Sequence, residues 1–262
     1  MSLVLGLDFE TTGLDIEKDR IVEVGAVLWD WERKTPLQIL SQIVSNDSGI
    51  VSCEPAFKKH GITPEDIATH GLPLSQVLRQ LLGLVALADV VMTHNGTKFD
   101  IPLLHNECER VGLTATLPQC VDTILDLPLD RNMVESTKLK YMAMDHGVMN
   151  PFAHRAIFDV LTMLKMASQY GLAEVMARAK APKITLVSDE PYADGNPRNK
   201  ASGFTWDSTF PPDYPKRTKS GAWVRHLIEA DMHTVLPDLK YHRVGANGKA
   251  GSAVDSGEMD AF

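Results

Sequence analysis

Hydrophobic residues in the first part of the chain predict three β-strands. Leu3–Phe9 is a short, apolar, branched run, and Ile21–Asp30 and Leu37–Val44 follow it with partial alternation of apolar and polar positions. The connections between these runs are short, which favours an antiparallel meander.

Helical spacing of apolar residues begins after this meander. One helix is predicted from the apolar positions Leu74, Val77, Leu78, Leu81, Leu82 and Val85. Val90–Met92 predicts a buried strand, and a second helix is expected from about Lys98 to Arg110. A long helix is expected over about 153–170, with one apolar face. This order of elements predicts an α/β layered domain over residues 1–180.

The amino-acid composition of the chain changes after Pro182: glycine and proline become frequent, while aromatic residues are still present. Disordered segments are normally poor in aromatics, so we expect a small module over 181–244, including a hairpin at Lys200–Asp207. Its aromatics, with neighbouring arginine and lysine, either stack on single-stranded bases or form a small core packed on the first domain. Residues 245–262 have the composition of a flexible, acidic tail.

Composition narrows the class of protein. With 262 residues, 44% of them hydrophobic, the chain is neither wholly disordered nor a membrane-spanning protein. No secretory signal is evident, and three unpaired cysteines indicate a cytoplasmic protein. The net charge of −8 argues against coating of nucleic acid by bulk electrostatics. A basic strip over 198–225 fits contact with a polyanion, and equally a solvated surface of mixed charge.

Two carboxylates stand at the end of the first predicted strand. Asp8 and Glu10 are two residues apart and therefore share one face of the strand, whereas Phe9 points to the other. Paired carboxylates repel unless a cation lies between them, and their hard oxygens suit Mg²⁺ or Mn²⁺. Thr11-Thr12-Gly13 then offers hydroxyls and backbone amides to a sugar or phosphate terminus.

Further acids and a histidine lie downstream. Asp100 is expected in the first turn of its helix, and Asp159 lies among apolar residues of the last helix, where an unpaired acid is costly. His154 precedes Asp159 by five residues.

These residues fall into motifs of a known family. The motifs are Leu7-Asp8-Phe9-Glu10-Thr11-Thr12-Gly13-Leu14, Arg20–Val27, His60-Gly61-Ile62-Thr63, His94–Asp100 with Asp122-Thr123, and His154–Asp159. In this order and spacing the sequence resembles the DEDDh (DnaQ-like) 3′–5′ exonucleases over roughly residues 3–172. The resemblance implies an RNase H-like fold, a mixed five-stranded sheet flanked by helices, to which residues 181–244 add a small aromatic-rich appendage.

The resemblance also implies the chemistry. Asp8, Glu10, Asp100 and Asp159 would hold two divalent cations, Mg²⁺ or Mn²⁺, across the scissile phosphate. His154 would act as the general base, a role that suits imidazole because its ordinary pKa of about 6.5 lies near neutral pH. The residues implied to contact the substrate are Thr11, Thr12, Leu14, Asn95 and Phe99.

The leading hypothesis is therefore a metal-dependent exonuclease that releases nucleoside 5′-monophosphates from DNA 3′ ends, in replication, repair or phage DNA processing. An exoribonuclease of the same family and an inactive nucleic-acid-binding scaffold are the alternatives. The substrate partner would be single-stranded DNA or another 3′ end, with RNA as the other option, and no membrane is expected. The acidic end of the tail suggests docking to a replication protein.

Overall fold

The computed structural model describes residues 2–45, 49–129, 136–190, 197–207 and 221–244. The chain divides into two compact units, Met1–Pro128 with Ser136–Ala179, and Leu129–Glu135 with Lys180–Phe262. The tail expected over 245–262 lies outside the described residues.

The first unit is built on a mixed five-stranded sheet of order β3-β2-β1-β4-β5. Its strands are β1 (Leu3–Thr11), β2 (Ile21–Asp30), β3 (Thr35–Ile43), β4 (Val90–Thr93) and β5 (Gln119–Asp122). The first three strands form an antiparallel meander, and β4 and β5 continue the sheet in parallel with β1. The carboxyl ends of β1, β4 and β5 consequently meet at one edge.

Helices cover both faces of this sheet. They are α1 (Glu54–His60), α2 (Pro64–His70), α3 (Leu74–Val85), α4 (Asp100–Arg110), α5 (Thr123–Asp126), α6 (Leu139–Asp145), α7 (Ala156–Ala167) and α8 (Leu172–Lys180). Buried side chains of α3 and α4 share one core cluster with Leu5, Leu7 and Phe9 of β1. α7 packs on the opposite face of β1 and β2.

The close approach of α7 to the sheet depends on two glycines. A Cβ at Gly6 would lie 2.7 Å from side-chain atoms of Val160 and Leu164. One at Gly25 would lie 2.3 Å from the backbone carbon of Ala156. Because residues two apart share a face of a strand, Asp8 and Glu10 of β1 also face the side on which α7 packs.

Two predicted helices begin later than expected. The helix expected from about Lys98 starts at Asp100, and the one expected over about 153–170 is limited to Ala156–Ala167. In the second case the cause is visible in the backbone. His154 has φ +65°, which a right-handed helix cannot contain.

The second unit has its own antiparallel sheet, of order β7-β8-β6-β9. Its elements are β6 (Lys183–Ser188), α9 (Pro197–Ala201), β7 (Thr205–Asp207), β8 (Ala222–Ile228), a 3-10 helix (Glu229–Thr234) and β9 (Tyr241–Val244). Phe204 and Trp223 are buried in a hydrophobic cluster within this unit, and Trp206 packs against it edge-to-face with Trp223. These aromatics therefore build the core of the unit, which leaves Phe204 and Trp223 unavailable for base stacking.

Over the described ranges, no helix combines the length and the apolar character needed to cross a lipid bilayer.

Candidate active site

The first carboxylates lie at the carboxyl end of β1. Asp8 and Glu10 are both partly exposed on the face that carries α7, whereas Phe9 between them is buried in the core on the other face. Glu10 pairs across the antiparallel ladder with Glu23 of β2. Because side chains alternate along a strand, β1 places Asp8 and Glu10 on one face, and the buried side chain of Phe9 between them fixes the strand in the core.

Asp100 reaches the same area from the adjacent strand β4. It is the first residue of α4 and is buried, and its carboxylate is hydrogen-bonded by the backbone N–H of Phe9. The loop before α4 is held by buried Asp122 at the end of β5, which accepts hydrogen bonds from the N–H groups of Asn95 (2.9 Å) and Thr97 (3.2 Å). Asp122 therefore fixes the loop that delivers Asp100.

His154 lies two residues before α7, and Asp159 lies in the first turn of that helix. The backbone N–H of His154 donates to Asp159 Oδ2 at 2.9 Å, and the side-chain amide of Asn150 donates to Asp159 Oδ1. One potential ligand atom from each of Glu10, His154 and Asp159 lies within 4.8 Å of the other two. The structure thus brings residues separated by about 140 positions in sequence to a single point.

Burial and the charges of neighbouring carboxylates raise the pKa values of the acids in this cluster. Burial, followed by the charges of Asp100, Glu10 and Asp159, raises the pKa of Asp8 well above its ordinary value. Burial and the charge of Asp159 raise the pKa of Glu10 to about 8, and burial raises that of Asp100 to about 7. Burial also raises the pKa of Asp159, against the hydrogen bonds from His154 and Asn150. Such a cluster takes up protons or cations readily.

A cleft of about 420 Å³ opens over this cluster. Its lining comprises Asp8, Phe9, Glu10, Thr11, Gly13, Leu14, Cys53, Pro55, Ala56, Lys59, His60, Phe99, His154 and Asp159. Leu14 is 78% exposed at its edge. Among the residues expected to contact substrate, Thr11, Leu14 and Phe99 therefore lie in the cleft, and Phe99 also packs against the core cluster.

Thr12 and Asn95 are the two expected substrate contacts that the structure places elsewhere. The hydroxyl of buried Thr12 donates to Asp19 Oδ1 at 2.8 Å and accepts from the N–H of Arg20. Asn95 is exposed and donates its backbone N–H to Asp122. Neither lines the cleft. The geometry assigns both residues to holding loops.

In one wall of the cleft, His60 alone belongs to a motif recognised in the sequence. This wall is formed by α1 and the residue before it, through Cys53, Pro55, Ala56, Lys59 and His60. Helix α1 has seven residues and buries only His60, so it lacks a helical apolar stripe. The available signals were Pro55 at the start of the helix and Gly61 at its end.

Comparison with known proteins decides the family. The family model described as RNase_T, exonuclease, matches residues 5–167, more than half of the chain. The chain belongs to this exonuclease family. It carries a DEDDh-type 3′–5′ exonuclease domain, as the resemblance of its motifs implies.

Solved structures share this exonuclease fold at low sequence identity. E. coli exonuclease I in complex with a dA16 oligonucleotide has a TM-score of 0.60 at 16% identity, over 77% of this chain and 50% of that one. E. coli exonuclease I in complex with a dT13 oligonucleotide gives 0.58 at 18% identity, over 72% and 48%. The nuclease domain of 3′hExo, a DEDDh family member bound to rAMP, gives 0.53 at 17%, over 64% and 90%.

The chain thus spans about half the length of the exonuclease I structures that it matches. A search of curated proteins gave no match.

The donor set fits divalent metal ions, on which exonucleases of this family depend. The charges of Asp100 and Asp159 raise the pKa values of both Asp8 and Glu10, and divalent cations relieve that repulsion. The ligand atoms of Glu10, His154 and Asp159 lie within reach of a shared ion. The residues present are therefore compatible with the metal chemistry of the family.

Proposed function

We propose that this protein is a metal-dependent 3′–5′ exonuclease that releases nucleoside 5′-monophosphates from DNA 3′ ends. The observation that carries the proposal is the convergence of Glu10, His154 and Asp159, from β1 and α7, beside Asp8 in one open cleft. Asp100 is close enough for its charge to raise the pKa of Asp8.

The catalytic residues divide into two roles. Asp8, Glu10, Asp100 and Asp159 hold two divalent ions, Mg²⁺ or Mn²⁺. Bound divalent cations supply Lewis-acid polarisation of the scissile phosphate and lower the pKa of bound water. His154, exposed at the cleft beside Glu10 and Asp159, accepts the proton of the attacking water as general base.

The terminal nucleotide occupies the part of the cleft built by the loop after β1. Leu14 presents an exposed apolar side chain that packs against the terminal base, and Phe99 forms the floor. The Thr11 hydroxyl donates to the Gly13 carbonyl at 2.6 Å, which keeps this loop in place at the sugar. Thr12 and Asn95 act on the substrate through the loops that they stabilise.

DNA is proposed as the polymer because the structural neighbours with the higher TM-scores include E. coli exonuclease I complexed with single-stranded DNA oligonucleotides. A second candidate, an exoribonuclease, is supported by the likeness to 3′hExo bound to rAMP. The two differ in how the cleft treats the 2′-hydroxyl group of the sugar.

The test is a gel time course on 5′-labelled single-stranded DNA, duplex DNA and RNA with Mg²⁺, Mn²⁺ or EDTA. We expect a metal-dependent ladder that shortens from the 3′ end of DNA and that Asp100→Ala abolishes. Faster shortening of RNA would select the second candidate. Binding without cleavage under every condition would leave a nucleic-acid-binding scaffold in place of an enzyme.

We propose that the chain has three parts: the nuclease domain over residues 1–180, an appended module over 181–244, and an acidic tail over 245–262 that docks a replication protein. Removal of residues 245–262 should weaken binding to that partner and leave cleavage of short oligonucleotides unchanged. Unchanged partner binding after the deletion would refute the docking role.

A further inference from the structure

An ion pair between a buried glutamate and a partly exposed arginine lies directly behind the catalytic cluster. Glu23 of β2 is 1% exposed, and Arg155 approaches its carboxylate in a bidentate manner. Arg155 Nη2 lies 2.6 Å from Glu23 Oε1, and Nε lies 3.0 and 3.2 Å from the two oxygens. The backbone N–H of Ala156 donates to Oε2 at 2.9 Å. Both carboxylate oxygens are therefore engaged by the chain itself.

Glu23 is consequently not a further metal ligand, although it stands opposite Glu10 on the neighbouring strand. Its charge contributes to the raised pKa of Glu10. A carboxylate in this place adds to the repulsion within the cluster and is costly when buried. It needs a local structural role to offset that cost, and its contacts indicate one.

In the part of the chain that the structure describes, the side-chain hydrogen bonds of Glu23 all come from the two residues that follow His154. Arg155 contributes its side chain, and Ala156, the first residue of α7, contributes its backbone N–H. Glu23 thereby caps α7 and fixes Arg155 in the same interaction. Gly25, two residues further along β2, lets the backbone of Ala156 rest against the strand.

His154 depends on this anchorage. Its φ of +65° is unfavourable for a residue with a side chain and persists only where the surroundings impose it. Across the described ranges the only hydrogen bond of His154 runs from its backbone N–H to Asp159, and no partner holds its ring. The orientation of the imidazole ring therefore depends on the backbone conformation at His154.

We propose that Glu23 and Arg155 are positioning residues that hold the His154 imidazole in its catalytic orientation. This inference rests on the proposed function, in which His154 is the general base. Neither residue lines the cleft, so their effect reaches the substrate only through His154 and the start of α7. Their loss should thus lower kcat and spare substrate binding.

The first unit offers a matched control. Arg110 pairs with Glu107 at 2.8 Å, and the exposed fractions of the two side chains are 30% and 1%, against 43% and 1% for Arg155 and Glu23. This pair lies at the carboxyl end of α4, and neither residue lines the cleft. Arg110→Ala therefore leaves a comparable buried carboxylate without its arginine, away from His154.

The experiment compares Arg155→Ala and Arg110→Ala in the full chain by melting temperature, by steady-state cleavage of a 5′-labelled oligonucleotide, and by calorimetric titration with Mn²⁺. Both variants should melt at a lower temperature than the wild type, since each leaves a buried carboxylate without its arginine. Arg155→Ala should lose about 100-fold in kcat, the size expected when a general base is misplaced, with KM and Mn²⁺ affinity changed by less than about 3-fold. Arg110→Ala should keep the wild-type kcat.

Conservative variants keep the test decisive where alanine prevents folding. Arg155→Lys preserves the charge without the bidentate geometry, and Glu23→Gln preserves an acceptor for Ala156; each should lose kcat to an intermediate extent. Equal kcat in the Arg155 and Arg110 variants, or a change confined to KM, would overturn the positioning role. A wild-type protein that cleaves no substrate with metal would overturn the proposed function, and the positioning role with it.

Discussion

Lys59 introduces a positive charge into a cleft otherwise dominated by acids. It is exposed on α1 and lines the cleft, and its charge lowers the pKa of Glu10 against the larger effects of burial and of Asp159. Among the cleft-lining residues that the structure describes, it alone is a lysine or arginine. A lysine in this position is well suited to a phosphate of the bound strand.

We predict that Lys59→Ala raises KM for a single-stranded oligonucleotide about tenfold and changes kcat little, because one phosphate contact is lost at every step. The dependence of log binding constant on log salt concentration should become shallower by about 0.7, the value for one phosphate of a single strand. Measurement of binding and cleavage at several salt concentrations checks both.

Lys58 is the control for this substitution. It neighbours Lys59 on α1, is paired with Glu54 at 2.5 Å, and is absent from the cleft lining. Lys58→Ala should leave KM and the salt dependence unchanged. Equal effects of the two substitutions would mean that Lys59 acts through general charge and makes no phosphate contact.

Cys53 provides a direct probe of cleft occupancy. It is exposed and lines the cleft, whereas Cys108 is buried and Cys120 is partly buried. Burial raises the pKa of the Cys108 thiol to about 11 and also raises that of Cys120, which suppresses their reactive thiolates. We predict that a maleimide labels Cys53 first and that the label blocks cleavage.

Bound strand should slow that labelling. The Asp100→Asn variant with Mg²⁺ permits the measurement without degradation of the oligonucleotide, and mass spectrometry identifies the modified thiol. Cys53→Ser should resist inactivation by the maleimide. Undiminished labelling of Cys53 at saturating oligonucleotide would contradict the placement of the substrate in this cleft.

At the scale of elements, the site depends on the contact between α7 and β2. The alternation of β2 directs Glu23 and Gly25 to one face, where the first supplies a carboxylate and the second supplies space. The start of α7 rests on both. A change at either position is therefore transmitted to His154 and Asp159 as a displacement of one helix end.

Gly25→Ala tests that contact. The added Cβ would lie 2.3 Å from the backbone carbon of Ala156 and 2.5 Å from the nitrogen of Ile157, and neither atom can move without the helix. We predict a loss of about 1–3 kcal/mol in the free energy of unfolding, typical of overpacking, together with a large loss of kcat. Urea unfolding and the cleavage assay measure the two effects.

Gly83→Ala serves as the matched control for that substitution. Gly83 lies in α3, and a Cβ there meets nothing within 4 Å. Alanine should stabilise the helix by up to about 1 kcal/mol and leave activity intact. Full activity of Gly25→Ala would show that α7 has room to move without consequence.

The elements that could be predicted from the sequence are mainly those with a long regular pattern. β2 was predicted with the bounds that the structure shows, and the apolar positions that predicted α3 begin and end where the helix does. β4 has only four residues, but its continuous apolar run predicts it, whereas β5 is equally short and begins and ends on a polar residue. α1 and α2 have seven residues each and do not repeat the helical period often enough to be distinguished from loops.

The sequence predicts which acids and which histidine form the site, but it does not predict which other residues line the cleft around them. Asp8 and Glu10 follow from strand alternation, whereas Lys59 and Cys53 enter the cleft through the tertiary placement of α1. The position of Glu23 in the sequence is itself informative. A glutamate within the otherwise apolar run of β2 is costly unless it is paired, and the pair is Arg155.

At the scale of the whole molecule, the acid cluster links stability to pH and to metal. The pKa of Glu10 rises from an ordinary 4.5 to about 8 and that of Asp100 from 3.8 to about 7, and the pKa of Asp8 is raised as well. The folded state therefore binds protons more tightly than the unfolded state. The contribution of these groups to stability is complete below their ordinary pKa values and is lost as pH rises towards 8.

We predict that, in EDTA, the melting temperature of the wild type falls between about pH 5 and about pH 8, and that excess Mg²⁺ or Mn²⁺ raises it most at the upper end. Divalent cations bind the ionised carboxylates of the folded state, so they replace the protons that the cluster loses.

Asp8→Asn removes one acid from the centre of the cluster. It should melt higher than the wild type in EDTA at about pH 8, show a weaker pH dependence, and respond less to metal. Scanning calorimetry of both proteins over this pH range gives all three comparisons, and a wild-type melting temperature at about pH 8 that Mg²⁺ and Mn²⁺ leave unchanged would rule out a metal site at these carboxylates.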